Sequence, residues 1–304
     1  MVPARAFVTR AGYVALLGRP NAGKSTLLNR ILGEKVSITS PKPQTTRRRV
    51  SGILSREDAQ AVFVDTPGLL DPTYELQRAL AEEVARALEG LDAACLVRDA
   101  AAAVRSPAPA EAREDAVLEA LGKTPAFLVL NKADLVPEAR TRELLDAGRA
   151  DGRFVEVHAV SATTGRGIGE LVEAIVARLP AGEFFFDPDQ LSDRSLRFLA
   201  AELVRETLFE ELEQELPYAS HVEITGFDES GPVVRVDATI HLERSSQKGM
   251  VIGRGGSSLK RIGTSARVKI ERLAGRQVFL QLHVTVRENW RRKDVELRRF
   301  GYRS

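Results

Sequence analysis

Apolar residues in the first half of the chain occur in short runs that end in glycine or polar residues. The run Val14–Leu17 leads into Gly18–Ser25, and Ser25–Leu32 then has the apolar spacing of an amphipathic helix. Three later runs predict further buried strands: Ala61–Val64, Ala126–Leu130 and Phe154–Val160. Strands that alternate with helices predict an open, mostly parallel α/β sheet with helices on both faces. A ligand would then bind at the carboxyl ends of the strands.

The pattern is weaker between the first and second of these later runs. Ala93–Val97 is predicted to be a strand that the charged pair Arg98-Asp99 interrupts. The alanine- and proline-rich stretch Ala100–Ala112 predicts a loop, followed by a helix over Glu114–Leu121. A helix over Ile168–Leu179, stopped by Pro180, completes the first domain.

The second half of the chain has a different order of elements. Ser192–Leu216 has leucines at helical spacing and a cap at Ser192 or Asp193. Alternating apolar and polar residues predict three strands: His221–Phe227, Val233–Glu243 and Gln277–Val286. The first two form an expected antiparallel pair, and Trp290 is an expected core residue. The pattern predicts an α+β domain.

The loop Gly18–Ser25 fits the phosphate-binding pattern G-x-x-x-x-G-K-[ST]. Its glycines allow backbone N–H groups to surround a polyphosphate, and Lys24 adds a positive charge. Ser25 would bind Mg²⁺ through its hydroxyl. The predicted nucleotide-binding residues of this loop are Asn21, Ala22, Gly23, Lys24, Ser25 and Thr26.

Two further segments complete the predicted phosphate site. Val36–Ser51 is rich in proline and threonine and predicts an irregular exposed segment, in which a threonine could bind Mg²⁺ when a γ-phosphate is present. A basic surface loop is the alternative explanation for that segment. Asp65 ends a buried strand and would hold Mg²⁺, while the Gly68 N–H could approach the γ-phosphate. Leu69 occupies the position where many small GTPases have a water-orienting glutamine.

Asn131-Lys132-Ala133-Asp134 fits the N-K-x-D pattern and follows a strand. The Asp134 carboxylate can accept hydrogen bonds from the ring N–H and exocyclic amine of guanine, whereas adenine presents the wrong edge. The backbone of Ser161-Ala162 could contact the guanine carbonyl. These residues predict selection of a guanine nucleotide, GTP or GDP.

In the second domain, Gly253-Arg254-Gly255-Gly256 fits the G-x-x-G clamp of KH modules. Its glycines allow the main chain to approach a nucleic-acid backbone. The G-x-x-G pattern alone is common in proteins, so the assignment depends on its neighbours. Ile252 precedes the motif, and Lys248, Lys260 and Arg261 supply local positive charge for phosphates.

Charge divides the chain into two parts that face different partners. Residues 241–304 contain 16 Lys and Arg against 5 Asp and Glu, whereas the first 240 contain 28 against 37. The basic end suggests contact with a polyanion, either nucleic acid or a membrane surface. The single cysteine, Cys95, excludes an intramolecular disulfide, and no apolar run approaches the length of a membrane span. A cytosolic location is expected.

With these motifs assembled, the sequence resembles the Era family of GTPases with an appended type II KH domain. The resemblance covers almost the whole chain and implies a G domain over residues 1–181, a linker over 182–194 and an RNA-binding KH domain over 195–304. Thr46 matches the Mg²⁺-binding threonine of the family, with Thr45 as a close competitor. The resemblance also implies K⁺ stimulation, with Asn21 as the candidate ligand.

The function implied is slow, Mg²⁺-dependent GTP hydrolysis with Lys24, Thr46 and Gly68 in catalytic roles. The resemblance implies that the partner is the 3′ end of small-subunit (16S) ribosomal RNA and that the protein acts in small ribosomal subunit assembly. A monomer is expected. The alternative is a KH RNA-binding or membrane-surface protein whose G domain binds nucleotide without regulatory turnover. That alternative would add peripheral contact with the inner face of the cell membrane.

Overall fold

The computed structural model describes residues 9–105 and 112–303 and divides into two compact units. The first unit takes in the chain up to Ser37, Thr46–Asp71 and Ala81–Asp193. The second takes in Ile38–Thr45, Pro72–Leu80 and the chain from Arg194 onward. Each unit has its own sheet and hydrophobic core.

The first unit is built on a six-stranded sheet with the order β2-β3-β1-β4-β5-β6. β2 runs antiparallel to β3, and the other neighbours are parallel. The strands are β1 (Arg10–Leu17), β2 (Val50–Ser55), β3 (Ala59–Asp65), β4 (Ala93–Asp99), β5 (Ala126–Asn131) and β6 (Glu156–Ala159).

Helices cover both faces of this sheet. They are α1 (Lys24–Leu32), α2 (Glu75–Ala87), α3 (Ala100–Arg105), α4 (Ala112–Leu121), α5 (Glu138–Ala150) and α6 (Ile168–Val176). Only the part of α2 from Ala81 onward belongs to this unit. Because side chains alternate along a strand, Val14 and Leu16 join the core under α1 and α6, while Ala15 and Leu17 join the core under α4. The predicted α/β fold is confirmed.

The second unit has the helix and strand order α-α-β-β-α-α-β followed by a short terminal helix. Its elements are α7 (Leu196–Glu211), α8 (Leu216–Ala219), β7 (His221–Asp228), β8 (Val233–Leu242), α9 (Ser245–Ile252), α10 (Ser257–Ala274), β9 (Gln277–Val286) and α11 (Asp294–Arg299). β7 is antiparallel to β8, which is parallel to β9. Alternate β8 residues such as Val234 and Val236 pack in one core with α7 and α10.

Two short segments from earlier in the chain also belong to the second unit. Ile38 is buried in the core of α7, β8 and α10. Leu76 and Leu80 pack against Trp290 and Phe300 near the carboxyl end. Trp290 is fully buried and its Nε1–H donates to Ala219 O at 2.9 Å, which confirms it as a core residue.

Several sequence-based boundaries were wrong. β4 continues through Arg98 and Asp99, because Arg98 pairs with Glu114 and Asp99 pairs with Lys132. The predicted loop from Ala100 begins with helix α3 instead, and residues 106–111 of that prediction lie outside the described part of the chain.

The helix of the second domain is also shorter than predicted. It begins after Ser195, whose hydroxyl accepts from Phe198 N at 3.3 Å, so neither Ser192 nor Asp193 is the cap. It ends at Glu211, and Leu216 begins the separate helix α8.

The predicted linker has an ordered path along the edge strand β2. Ile53 N donates to Leu191 O at 2.9 Å, and the Ser192 hydroxyl donates to Ser51 O at 2.7 Å. The boundary between the two units falls after Asp193.

Cys95 of β4 is fully buried, and burial raises its thiol pKa to about 12. Among the described residues, no helix combines the length and apolar character needed to cross a bilayer.

Candidate nucleotide site and nucleic-acid interface

The phosphate loop joins β1 to α1 and depends on two glycines. Gly18 has a φ of +139° and Gly23 a φ of +94°, values that L side chains rarely adopt. A Cβ at Gly18 would lie 2.2 Å from Val97 O, and one at Gly23 would lie 2.3 Å from Asn131 Nδ2. Neighbouring strand ends therefore leave no space for a side chain at either position.

Lys24 is the first residue of α1 and is 6% exposed. Its Nζ donates to Gly18 O at 2.9 Å and to Arg19 O at 3.1 Å, which folds the side chain back over the loop. Burial lowers its pKa to about 8, and the charge of Asp65 opposes that shift. The ammonium group therefore lies at the phosphate loop with its charge poorly solvated.

Asp65, at the end of β3, is fully buried at the centre of a hydroxyl cluster. Its Oδ2 accepts from Ser25 Oγ at 2.6 Å, Ser37 Oγ at 2.7 Å and Thr46 Oγ1 at 3.4 Å. Its Oδ1 is buried and has no hydrogen-bond partner among the described residues. Burial raises the pKa of Asp65, while Lys24 and the hydroxyls oppose the rise.

The structure separates the two competing threonines. Thr46 Oγ1 lies 2.9 Å from Ser25 Oγ and joins the Asp65 cluster. Thr45 Oγ1 instead donates to Lys42 O at 2.8 Å. Thr46 therefore lies with the side-chain oxygens that the sequence predicts to bind Mg²⁺, whereas Thr45 does not.

Sequence reasoning missed two residues of this region. Ser37 contributes a third hydroxyl to the Asp65 cluster. Asn29 of α1 holds the backbone beside it, since its Oδ1 accepts from Val36 N and Ser37 N at 3.0 and 2.9 Å. A single serine or asparagine gives no periodic signal, so only the fold reveals these roles.

Gly68 lies against the phosphate loop. A Cβ there would lie 2.6 Å from Pro20 N, and the next residue, Leu69, donates its N–H to Gly18 O at 3.0 Å. The Leu69 side chain is buried in the core with Ala15 and Val84. The residue in the glutamine position thus supports packing and presents no polar group to a phosphate.

The base-binding loop follows β5 and is tied to the phosphate loop. Asn131 Nδ2 donates to Ala22 O at 2.9 Å, and its Oδ1 accepts from Ala162 N at 3.0 Å. The Ser161 hydroxyl accepts from Thr164 N at 3.1 Å, which shapes the Ser161-Ala162 turn. These bonds bring together loops that are far apart in sequence, as the motifs predict.

The remaining predicted residues differ in exposure. Asp134 is exposed beyond the strand end, where its carboxylate is available to a ligand. Lys132 Nζ donates to Asn21 O at 2.8 Å, and Thr26 is half-buried in the first turn of α1. Arg30, which sequence reasoning missed, donates to Ala162 O at 2.8 Å.

In the second unit, the G-x-x-G loop joins α9 to α10. Gly253, Gly255 and Gly256 all have positive φ, at 75°, 58° and 80°. A Cβ at Gly253 would lie 2.8 Å from Ser258 Cβ, whereas nothing lies within 4 Å of a Cβ at Gly255 or Gly256. The latter two glycines leave the main chain open to a ligand.

Basic side chains surround this loop, and a groove adjoins it. Lys248, Arg254, Lys260 and Arg261 are exposed, and Arg261 pairs with Glu211. A groove of about 430 Å³ lies between α10 and β9. Its lining includes Gly256, Leu259, Lys260, Arg267, Leu280 and Gln281. A positive rim beside an apolar floor suits the phosphates and bases of single-stranded RNA.

Fold and sites together define a P-loop GTPase joined to a KH domain. Residues 13–132 match the family described as 50S ribosome-binding GTPase, and residues 215–291 match the KH domain family. GTPase Era from Geobacter metallireducens is 43% identical over 296 residues, covering 96% of this chain and 98% of the relative. GTPase Era from Xanthomonas axonopodis pv. citri is 45% identical over 295 residues, covering 96% and 97%. The chain belongs to the GTPase Era family.

Two solved structures agree over almost the whole chain. Era in complex with MgGDPNP and nucleotides 1506–1542 of 16S ribosomal RNA is 35% identical, with a TM-score of 0.90 and coverage of 97% of this chain and 100% of that one. A single-residue variant of Aquifex aeolicus Era bound to GDP.AlF4⁻ is 36% identical, with a TM-score of 0.91 and the same coverage. The predicted family, domain types and GTPase class are confirmed.

Proposed function

We propose that this protein is a GTP-controlled switch that binds the 3′ end region of 16S ribosomal RNA and acts in small ribosomal subunit assembly. The observation that carries the proposal is the convergence of Lys24, Thr46 and Asp65 at the phosphate loop. The same chain carries an open, basic G-x-x-G loop. A structural relative that aligns with 97% of this chain holds both MgGDPNP and the 16S fragment.

The Asp65 cluster fits Mg²⁺. Its buried Oδ1 lacks a hydrogen-bond partner among the described residues, and the hydroxyls of Ser25 and Thr46 lie beside it. These are the oxygen donors that Mg²⁺ prefers. Ser25, Thr46 and Asp65 would hold the ion, which when bound neutralises charge on the β- and γ-phosphates.

The chain's own groups supply the remaining phosphate chemistry. When a nucleotide binds, the Lys24 ammonium would donate to phosphate oxygens in place of Gly18 O and Arg19 O. The N–H of Gly68 would face the γ-phosphate. Preorganised donors of this kind stabilise the charge that develops during transfer. Turnover is slow because the Leu69 side chain is buried in the core and cannot orient water.

The base site selects guanine through Asp134. Its exposed carboxylate pairs with the two N–H donors of the guanine edge, while Asn131 keeps the loop joined to the phosphate loop. The Ser161-Ala162 backbone contacts the guanine carbonyl. Adenine leaves the carboxylate unpaired, which makes discrimination large.

K⁺ is proposed as an activator with Asn21 as its ligand. Asn21 is exposed in the phosphate loop and has a φ of +64°. GTP turnover should then be faster in KCl than in NaCl at equal ionic strength, and Asn21→Ala should remove the difference. Equal rates in the two salts would contradict this part of the proposal.

Coupling between nucleotide and RNA is supported by the make-up of the second unit. Ile38–Thr45, which directly precedes Thr46 in sequence, belongs to that unit. Within it, Thr39 N donates to Glu206 Oε1 at 2.8 Å, and Lys269 of α10 pairs with Glu206 Oε2 at 2.9 Å. A chain segment next to the Mg²⁺-sensing threonine is thus linked to the helix that follows the G-x-x-G loop.

The protein is proposed to act as a cytoplasmic monomer, with a membrane surface as the competing partner. A test compares three probes at fixed moderate salt: RNA matching the 16S 3′ end, shuffled RNA of equal composition, and anionic lipid vesicles. The proposal predicts preference for the matched RNA. Equal affinity for both RNAs would contradict specific recognition, and preferential vesicle binding would favour the membrane-surface alternative.

A further inference from the structure

Asp99, the last residue of β4, has a carboxylate that joins two elements beside the nucleotide site. Its Oδ2 accepts from Lys132 Nζ at 2.7 Å, and its Oδ1 accepts from Ala102 N at 2.9 Å. The same Lys132 ammonium donates to Asn21 O at 2.8 Å. A chain of contacts therefore runs from β4 through Lys132 to the phosphate loop.

Lys132 occupies a conformation that needs such support. Its φ is +62°, in the left-handed region that costs energy for a residue with a side chain. Its long side chain also loses rotamer entropy when it is fixed. Asn131, the residue before Lys132, is held by its own side-chain bond to Ala22 O. The Lys132 side chain itself is held by Asp99 and Asn21 O.

We propose that Asp99 is a positioning residue for guanine nucleotides, which holds Lys132 against the phosphate loop so that Asn131–Asp134 is already ordered when the nucleotide arrives. The inference rests on the assignment of that loop as the guanine site. It adds a residue that lies outside the phosphate-loop, D-x-x-G and N-K-x-D motifs.

The electrostatic environment supports a fixed pair. The side chains of Asp99 and Lys132 are 20% and 31% exposed, so water screens them less than a surface pair. Burial alone would raise the pKa of Asp99, but its hydrogen bonds from Lys132 and the α3 backbone hold that pKa below its ordinary value. Asp99 is therefore ionised at neutral pH.

Asp99 also caps helix α3, and the test must separate that structural role from positioning. Asp99→Asn keeps a side-chain oxygen for Ala102 N but removes the charge that faces Lys132. Glu114→Gln is the matched control, because Glu114 pairs with the adjacent β4 residue Arg98 at 2.9 Å. That control weakens a nearby, more buried pair without touching Lys132.

The experiment measures association and dissociation of fluorescent GDP with the full-length protein in Mg²⁺, together with GTP turnover at saturation. Asp99→Asn should raise the GDP dissociation rate about tenfold, the usual scale for losing a charge-assisted contact. The turnover number should stay within about twofold, because Asp99 does not contact the phosphates. Glu114→Gln should leave both rates near those of the unaltered protein.

A double-mutant cycle with Lys132→Met supplies a readout that a purely structural role would not change. In the Lys132→Met background, Asp99→Asn should change GDP dissociation less than about twofold. Asp99→Ser, which also retains a capping side chain, replaces Asp99→Asn if the latter folds poorly.

Unchanged GDP dissociation in Asp99→Asn, an equal effect of Glu114→Gln, or full additivity with Lys132→Met would overturn the inference. Failure of the unaltered protein to bind GDP would instead contradict the nucleotide-site assignment and overturn both proposals.

Discussion

The phosphate loop and the G-x-x-G loop both rely on glycine, but for different physical reasons. At Gly23 a side chain would meet Asn131 Nδ2 at 2.3 Å, so the protein itself fills the space. At Gly256 nothing lies within 4 Å, and the requirement is a positive φ together with an open approach to the main chain. The phosphate loop is packed against its own domain at Gly23, whereas the G-x-x-G loop is open to solvent at Gly256.

The difference determines what a substitution reports. A side chain in the phosphate loop disturbs the protein before any ligand binds. A side chain at Gly256 strains the local backbone but meets no neighbouring atom, so its main effect is to obstruct the ligand.

Gly23→Ala should weaken GDP binding by at least about a hundredfold, the equivalent of roughly 2.8 kcal/mol. The added Cβ both strains the backbone and displaces Asn131, which carries the base loop. Titration with fluorescent GDP measures the loss. Gly33→Ala is the control, because Gly33 also has positive φ, +72°, but has open space around its Cβ. It should lose stability and keep its GDP affinity, and equal losses of affinity would mean that backbone strain alone explains the effect.

Gly256→Asp should weaken RNA binding about tenfold to thirtyfold, because a carboxylate then faces the phosphates. Gly256 and Gly275 both have positive φ, so aspartate strains the backbone at either position and the two variants should lose similar, small amounts of stability. Gly275→Asp adds the same charge at a φ of +64° at the other end of α10. Filter binding or anisotropy should show that this control retains RNA affinity. Similar losses of RNA affinity in both variants would mean that the added negative charge, and not contact of RNA with the G-x-x-G loop, explains the effect.

Thr46→Ala should weaken binding of a Mg²⁺-GTP analogue about fivefold while leaving GDP affinity unchanged, the scale of one lost metal or hydrogen-bond ligand. Thr45→Ala is its matched control, since Thr45 donates to Lys42 O and lies outside the Asp65 cluster. Competition binding with the GTP analogue and with GDP measures both affinities for each threonine variant. A larger effect of Thr45→Ala would reverse the assignment.

The smallest effect concerns pH. Burial lowers the pKa of Lys24 to about 8 in the nucleotide-free protein, and phosphates bind the protonated form. GDP binding must therefore take up a proton above that pH, and affinity should fall about fourfold between pH 7 and 8.5. Calorimetry in two buffers of different ionisation enthalpy measures the proton uptake. Binding without proton uptake at pH 9 would show that Lys24 remains charged in the free protein.

The nucleotide motifs could be predicted because each follows an apolar strand, and strand ends meet at one edge of a parallel sheet. Lys24, Asp65 and Asn131 lie together for that reason. The KH loop could be predicted because the spacing of its glycines and basic residues is local. Both predictions depend on short-range sequence patterns.

Features that depend on distant partners could not be predicted. Arg98 and Asp99 interrupt an apolar run, yet Glu114 and Lys132 satisfy their charges and β4 continues through them. Ser37 likewise joins Asp65 across the fold without any pattern that marks it. The roles of Arg98 and Asp99 at the end of β4 can be recognised only when their partners, Glu114 and Lys132, are known.

The inclusion of Ile38–Thr45 in the second unit was also not predictable. Ile38 lies between Ser37 and Thr39 with no periodic pattern around it, and only packing reveals that it is buried with α7 and β8. The segment Val36–Ser51 was expected to be irregular and exposed, but Val50 and Ser51 are buried and begin the strand β2, which sequence reasoning missed.

The central claim is that nucleotide state controls RNA binding. The most direct test measures the affinity of RNA matching the 16S 3′ end for the full-length protein with Mg²⁺ and either a GTP analogue or GDP. We expect tighter RNA binding with the GTP analogue, by at least about threefold, and loss of the difference in Thr46→Ala. Equal, measurable affinities with the two nucleotides would contradict the switch and leave two independent binding modules.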